Sequence, residues 1–465
     1  MRRALTGHAS SVLVAALSSA FGVLLLEVTG VLAQIIRGDD VTGSSTMVAL
    51  LLQTLAFVFI IIAVYVGAIV TSNTFATIIA GRTRTIALMR LIGSSAADQR
   101  KAVAKEGLLV GVVGSVIGAV IASGLTWLLL LIAQATKFIP KGAYAVLDGV
   151  IVIPIVAVVL TTWWASWIGS RRVLHVSPME ATGAAVERTV DETRSLRGRR
   201  TSATVLFIVG IGLLVLGMLI GLVTPLGVLV GVVGGIVSFS GVVLGAQFVM
   251  PLALRLVGRM FGSSATARLA AENAVRYPER SARSTIGLVI GVALVTMFAV
   301  AVESFQVMIR TAQEAQPEVY QGTDTVLTVV VVIFSVLMGF SALIAAVGMV
   351  NALSLNVLQR TRELGLLRAL GFTARQVRTM VLAESAQLTI AAVVVGLLLG
   401  TFYGWAGAQS LLGSINGVPG IVLPAIPVGL LVVVVAASAV LIAVASVAPA
   451  RRATSIAPVA ALAVE

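Results

Sequence analysis

The segment RTRELGLLRALG, at residues 360–371, is a second copy of RTRTIALMRLIG at residues 82–93. We call residues 82–93 the first connector and residues 360–371 the second connector. The two copies lie 278 positions apart, and both stand between long apolar segments. The same spacing aligns a polar residue before each connector and an acidic residue after it: Asn73 with Asn351, and Glu106 with Glu384. From Asn73 to Glu106, 11 of 34 positions are identical. The duplication predicts a chain made of two related halves.

The composition places these halves in a membrane. Hydrophobic residues make up 58% of the chain and charged residues only 11%, whereas soluble domains are roughly 25% charged. The chain has no cysteine, which excludes a disulfide scaffold and thiolate metal sites. Apolar runs long enough to span a bilayer fall at about 11–36, 47–72, 107–135, 148–170, 203–223, 226–254, 284–304, 325–350, 380–411 and 425–448. We therefore predict an all-α integral membrane protein with ten transmembrane spans.

The distribution of the cations predicts the orientation of the chain. With the N-terminus in the cytoplasm, 28 of the 32 Lys and Arg residues face the cytoplasm, and the four that face outward are Arg37, Lys137, Lys141 and Arg310. Cytoplasmic loops of membrane proteins carry this excess of positive charge, so both termini are predicted to be cytoplasmic. The net charge of +13 then reflects topology and attraction to anionic membrane lipid, and not binding to nucleic acid.

The duplication divides the ten spans into groups of four, two and four. We predict a first four-helix repeat at residues 1–182, a linker with a two-helix insert at residues 183–256, and a second four-helix repeat at residues 257–465. Both repeats start in the cytoplasm, so they are parallel copies. The ends of the two repeats also match. An Arg-Arg pair precedes Pro178 and another precedes Pro458, and the two prolines lie 280 positions apart.

Each connector has the pattern of a short helix at the cytoplasmic surface. Apolar residues recur every third position, which places them on one side of a helix, and Gly93 and Gly371 stand where a left-handed helix cap is expected. We expect Glu106 and Glu384 at the start of the returning helices, where a carboxylate is favourable and can pair with a connector arginine. Asn73 and Asn351 are expected to form hydrogen bonds between helices. An alternative is a helix that only rests in the lipid headgroups.

The second connector with Gln359 before it, and the tail PARRA at residues 449–453, resemble the signature of FtsX-like/MacB-type ABC transporter permeases. The arrangement of four, two and four spans is similar to the BceB-like branch. The resemblance implies that each connector docks on a separate cytoplasmic ATPase, hence two ATPase copies per chain, with ATP and Mg²⁺ bound by the ATPase. Two departures are Thr85 and Ala87, which stand where the second connector has Glu363 and Gly365. A large extracellular domain is also missing.

The resemblance assigns ATPase coupling to residues of both connectors: Arg82, Arg84, Leu88, Arg90, Gly93, Arg360, Arg362, Glu363, Gly365, Arg368 and Gly371. We also expect four residues to support the coupling helices: Glu106, Glu384, Asn73 and Asn351. The sequence has no phosphate-binding Gly-x-x-x-x-Gly-Lys-Ser/Thr motif. It also shows no catalytic constellation, and its two histidines, far apart, do not suggest a metal site. We therefore expect no enzymatic activity and no bound cofactor in this chain.

Two acids near the outer ends of predicted spans are nearly equivalent in the two repeats. Glu27 and Glu303 lie 276 positions apart. One interpretation is a pair at the outer mouth that attracts a cationic or amphipathic substrate, since ionisable residues within membranes are often functional. The other is that both are wetted at the level of the headgroups.

Three functions remain open from the sequence. The first is an ABC permease that exports or extracts an amphipathic or lipid-like molecule. The second is an FtsX-like mechanotransmitter that signals to an extracellular cell-wall enzyme through the predicted loop 305–324. The third is a secondary transporter. It is disfavoured because such a transporter normally needs charged groups at the middle of the membrane, and none of the ten predicted spans has a charge at mid-depth.

Overall fold

The computed structural model describes residues 9–37, 88–89, 92–137, 149–170, 197–261, 278–318 and 370–415. Residues 54–72, 139–148, 272–275, 327–343 and 417–440 are described in part. Within these residues the regular elements are helices, and seven are long and apolar enough to cross a membrane. They are α1 (Ala9–Arg37), α2 (Ala96–Ala135), α3 (Val152–Gly169), α4 (Arg197–Gly221), α5 (Gly227–Gly258), α6 (Pro278–Ala315) and α7 (Ala374–Leu412). The architecture is an all-α membrane protein.

The other three predicted spans fall mostly outside the described residues. Within the predicted span 47–72, the structure describes a shorter apolar helical segment at Ile60–Ile69, which we call segment 60–69. Part of the span 325–350 is described, and it includes the buried side chain of Phe334. The predicted count of ten spans therefore stays a prediction.

The duplication is visible in how the helices pack. In the first repeat α1 packs on α2, and in the second repeat α6 packs on α7. Both contacts are close at the same repeat position: a Cβ on Gly118 would lie 2.1 Å from the backbone oxygen of Ala16, and a Cβ on Gly396 would lie 2.8 Å from Val292. Small residues permit this approach of membrane helices.

Helices α2 and α7 begin at equivalent residues and earlier than the apolar runs suggested. The side chains of Ser95 and Thr373 accept hydrogen bonds from the backbone N–H groups three residues later, and so cap the two helices. The prediction that Glu106 and Glu384 lie at the helix starts was therefore wrong. Both lie about three turns inside, where the stabilising effect of a helix end, confined to the first turn, has faded.

The insert forms a helical hairpin that packs on the second repeat. Helix α4 packs along α5, and the pair contacts α6 and α7. Small residues line the seam between α4 and α5, where a Cβ on any of them would meet the neighbouring helix at less than 3 Å: Gly210, Gly217, Gly234 and Gly241. The two repeats meet through α1 and α6, where the rings of Phe21 and Phe298 lie 6.3 Å apart.

Helix α6 also corrects the predicted outer loop 305–324. The helix continues to Ala315, because the apolar side chains Met308, Ile309 and Ala312 remain buried and extend its packed face. Only a turn at residues 317–318 follows within the described part. Residues 305–315 of the predicted outer loop are thus part of α6.

Candidate functional site

The described ends of both connectors form the same turn. Gly93 has φ = 100° and Gly371 has φ = 98°, the left-handed conformation that glycine adopts without a steric penalty. At the first connector the backbone N–H of Ser94 donates to the carbonyl of Met89 at 3.0 Å, a bond that accompanies this type of helix end. The predicted left-handed caps are therefore present, and each leads directly into the capped start of α2 or α7.

The connectors expose apolar side chains beside these turns. Leu88 is 49% exposed, Ile92 is 80% exposed and Leu370 is 71% exposed. Apolar side chains exposed at the end of a membrane helix can contact either a protein partner or the lipid headgroup region. The other predicted coupling residues lie outside the described residues: Arg82, Arg84, Arg90, Arg360, Arg362, Glu363, Gly365 and Arg368. Asn73 and Asn351 also lie outside them.

A cation–π contact lies just after the first connector, at the start of α2, and the sequence analysis did not predict it. The guanidinium carbon of Arg100, at the start of α2, lies 3.9 Å from the ring centroid of Trp167 on α3. Arg100 aligns with Arg378 in the second repeat, and this repetition was the signal that could have singled it out. The contact joins the base of α2 to the end of the first repeat.

The supporting acids differ in burial. Glu384 on α7 is buried, whereas Glu106 on α2 is half-buried. Both lie on the helices that return from the connectors, and their support of the coupling helices stays a prediction.

The two outer acids have different surroundings. Glu27 is 3% exposed, and its two carboxyl oxygens lie 2.5 Å from the hydroxyls of Ser123 and Thr126 on α2. Glu303 is half-buried on α6, and the residue equivalent to Thr126 in the second repeat is Gly404. Glu27 is thus held between helices and is not wetted at the headgroup level. The predicted contact of either acid with a substrate stays a prediction.

An apolar cavity of about 170 Å³ lies between the insert and the second repeat. Segment 60–69, α4, α5, α6 and α7 contribute to its wall, with Phe334. On the predicted topology the lining residues of α4, α5 and α7 lie in the outer parts of these helices, and those of α6 lie in its middle and outer part. Six aromatic rings line the cavity: Tyr65, Phe239, Phe298, Phe305, Phe334 and Tyr403.

The polar groups on this wall are already occupied. The hydroxyl of Tyr65 lies 2.8 Å from that of Ser240 and donates to the carbonyl of Ile236 at 3.0 Å. The hydroxyl of Tyr403 lies 3.0 Å from that of Ser238. The cavity therefore offers apolar surface to a ligand. Sequence reasoning missed it because its wall comes from six separate parts of the chain.

Comparison with known protein families identifies the architecture. A family model described as FtsX-like permease C-terminal matches residues 57–178 and again residues 335–458, more than half of the chain. The chain belongs to the FtsX-like permease family. The two matched regions start 278 positions apart and end 280 positions apart, the spacings of the connectors and of the terminal arginine pairs. The permease thus contains the family domain twice.

A curated relative agrees with this assignment over a shorter region. The permease is 32% identical over 120 residues to the uncharacterized ABC transporter permease YknZ of Bacillus subtilis (strain 168). The matched region is 26% of the permease and 28% of the relative, so the permease spans well under two thirds of that protein. Family and helices together make the chain a multi-pass membrane permease of the ABC type.

Proposed function

We propose that the permease is the membrane subunit of an ABC transporter in which each connector binds one copy of a separate cytoplasmic ATPase. The observation that carries the proposal is the repeated geometry of the connector ends. Two glycines with the same left-handed φ are each followed by a capped helix at the same repeat position. A loop that served only as a lipid anchor would need positive charge, but it would not need this turn twice.

The long helices suit the transmission of a movement from the connectors to the outside. Helix α2 has 40 residues and α7 has 39, which at 1.5 Å per residue makes each about 60 Å long. A tilt imposed on the capped cytoplasmic end therefore reaches the outer side of the membrane along one continuous element. ATP-driven approach of two ATPases would move both helices in this way.

The cargo we propose is a lipid-like or amphipathic molecule taken from the outer part of the membrane. The support is the cavity, whose wall is apolar and whose tyrosine hydroxyls are occupied by serines. A polar solute would lose its hydrogen bonds to water there without replacement, which is costly. An acyl chain forms no hydrogen bonds to water, so it would lose none on entering the cavity.

The docking proposal is tested by purification from native membranes and by counting the associated ATPase. We expect two ATPase copies per chain. Ile92→Asp and Leu370→Asp, which place a charge on the exposed apolar surface of each connector, should each remove one copy. Met260→Asp is the matched control, because Met260 is 81% exposed beyond the end of α5 and lies outside both connectors.

Full ATPase occupancy in the double variant Ile92→Asp/Leu370→Asp would contradict docking at the connectors. Loss of the ATPase in Met260→Asp as well would show that any added cytoplasmic charge disrupts assembly, and would remove the support for these sites. For the cargo, lipid-stimulated ATP hydrolysis in nanodiscs should exceed the stimulation by a polar solute.

A further inference from the structure

Helix α5 lies between the two helices that stand next to the connectors in the chain. Segment 60–69 precedes the first connector, and α7 begins three residues after the last residue of the second connector. One short stretch of α5, Ser238-Phe239-Ser240, contacts both of them. The insert therefore touches the parts of both repeats that an ATPase would move.

The contacts form a complete set of hydrogen bonds. The hydroxyl of Tyr65 donates to the carbonyl of Ile236, so the hydroxyl of Ser240 donates to the oxygen of Tyr65. On the other side Ser238 donates to the carbonyl of Gly235, so the hydroxyl of Tyr403 donates to Ser238. Each hydroxyl proton has one acceptor in this arrangement.

An aromatic ring packs between the two tyrosines. The ring of Phe239 lies 6.4 Å from that of Tyr65 and 6.0 Å from that of Tyr403, edge to face in both cases. Such pairs stabilise packing beyond the burial of their area. All three rings line the cavity, so a change in these contacts changes the cavity wall.

The repeats do not supply these contacts a second time. The position equivalent to Tyr65 in the second repeat is Leu343, and the position equivalent to Tyr403 in the first repeat is Leu125. Leucine cannot form the hydrogen bonds. The arrangement is thus specific to the side of the molecule that carries the insert.

We propose that the pairs Tyr65–Ser240 and Tyr403–Ser238 form a latch that holds segment 60–69 and α7 on α5 and keeps the cavity in its resting shape. The proposal rests on the proposed function, because the connectors must be driven for the latch to release. The four latch residues are positioning residues: they set the cavity wall through α5. In an apolar environment a hydroxyl without a partner is costly, so the latch favours two discrete arrangements over a gradual one.

Pulsed EPR distances in the assembled transporter test the latch. The chain has no cysteine, so spin labels can be placed at chosen exposed positions without removing native thiols. Phe57, three residues before segment 60–69, Val233 on α5 and Leu398 on α7 are all exposed. The pair Phe57→Cys/Val233→Cys reports on the start of segment 60–69 against α5, and Val233→Cys/Leu398→Cys reports on α7 against α5. Distances are measured in nanodiscs with the ATPase bound, before and after trapping with ATP and vanadate.

Tyr65→Phe and Tyr403→Phe remove one hydroxyl each and keep the ring. We expect each to raise the ratio of trapped-like to resting-like distances in the resting transporter about five-fold, the effect of losing one net hydrogen bond. Ser240→Ala should add nothing to Tyr65→Phe, because the partner is already lost. Ser240→Thr in the otherwise wild-type chain keeps the hydroxyl and should keep the wild-type ratio. Tyr144→Phe, away from the cavity, is the matched control and should leave the ratio unchanged.

Resting distances in Tyr65→Phe and Tyr403→Phe that equal those of the wild type, while the wild type responds to trapping, would overturn the latch and leave the proposed function standing. A wild-type chain that binds no ATPase would overturn the proposed function and the latch together. An additive effect of Ser240→Ala on Tyr65→Phe would also overturn the latch, because it would show that the two hydroxyls act independently.

Discussion

At the residue scale, the clearest difference between the repeats is the pair Glu27 and Glu303. They sit at nearly equivalent positions of α1 and α6, yet only Glu27 has two hydroxyl partners on the neighbouring helix among the described residues. Those partners depend on Ser123 and Thr126, which the second repeat replaces with Thr401 and Gly404. A buried carboxyl group needs such partners, because an unsatisfied polar group in an apolar environment is costly.

We therefore expect Glu27→Ala to destabilise the permease by about 1–3 kcal/mol, because the half-buried hydroxyl of Ser123 and the buried hydroxyl of Thr126 both lose the carboxylate as an acceptor. Glu27→Gln keeps an oxygen and a nitrogen in place and should cost less. Thermal unfolding in detergent measures both variants. Glu303→Ala is the control at the nearly equivalent position, and an effect as large as that of Glu27→Ala would contradict this account.

A second prediction at this scale concerns the connector turns. Gly93→Ala and Gly371→Ala place a side chain at a left-handed φ, which costs roughly 1–2 kcal/mol for a residue with a Cβ. We expect weaker ATPase binding and lower coupled ATP hydrolysis in both variants.

Gly124→Ala is the matched control for the connector glycines. Gly124 lies inside α2, and an added Cβ there meets no atom within 4 Å. Loss of ATPase binding in Gly124→Ala of the same size would show that the effect does not depend on the turn.

At the scale of the elements, the packing of α1 on α2 and of α6 on α7 determines the shape of each repeat. Both contacts depend on a glycine at the same repeat position, Gly118 and Gly396. The first is the closer, since a Cβ there would meet the backbone of α1. At Gly396 it would meet the Cβ of Val292 at 2.8 Å, and the nearest backbone atom, the nitrogen of Ala293, at 3.2 Å.

We expect Gly118→Ala to destabilise the permease more than Gly396→Ala, since the added Cβ would lie 2.1 Å from the nearest atom of the neighbouring helix in the first case and 2.8 Å in the second. Overpacking of this kind typically costs about 1–3 kcal/mol. The midpoint of thermal unfolding ranks the two variants, with Gly124→Ala as the neutral reference. The opposite ranking would mean that α1 and α2 separate more easily than α6 and α7.

At the scale of the whole molecule, the insert makes a duplicated chain asymmetric. It covers a face of α7 whose equivalent on α2 is open: Ser410 is fully buried, whereas Ile132 at the same repeat position is 52% exposed. Gln387 on the covered face donates to the carbonyl of Leu254 on α5 at 2.8 Å, and its equivalent on α2 is Leu109. Polar and small residues meet the insert, and large aliphatic residues face outward.

The repeat supplies a matched pair of reporters for this asymmetry. Trp127 on α2 is 61% exposed. Trp405, at the equivalent position of α7, is half-buried and donates to the carbonyl of Val422 at 2.6 Å. The chain has five tryptophans, so the reporters are variants in which Trp127 or Trp405 is the single tryptophan and the other four are replaced by phenylalanine. Reconstituted in brominated lipid, they should show several-fold stronger quenching for Trp127. Equal quenching would mean that the insert does not shield α7 in the membrane.

The sequence by itself determined the membrane class and the duplication, and its charge asymmetry predicts the orientation of the chain. Apolar runs and the spacing of 278 positions are local or linear properties, and the family match at the same spacing agrees with the duplication. The left-handed turns were also predictable, because a glycine after an amphipathic helix has a local backbone reason. The capping residues Ser95 and Thr373 were visible as well, since each is followed three residues later by Asp98 or Gln376.

Only the tertiary structure decided where the insert packs, why Glu27 is buried and how the cavity is enclosed. Each of these depends on contacts between residues far apart in the chain, such as Glu27 with Ser123 or Tyr403 with Ser238. Hydrophobicity is nearly uniform along membrane helices, so it does not say which face meets which neighbour. That choice is made by small residues, hydroxyls and aromatic rings whose partners become known only when the helices are assembled.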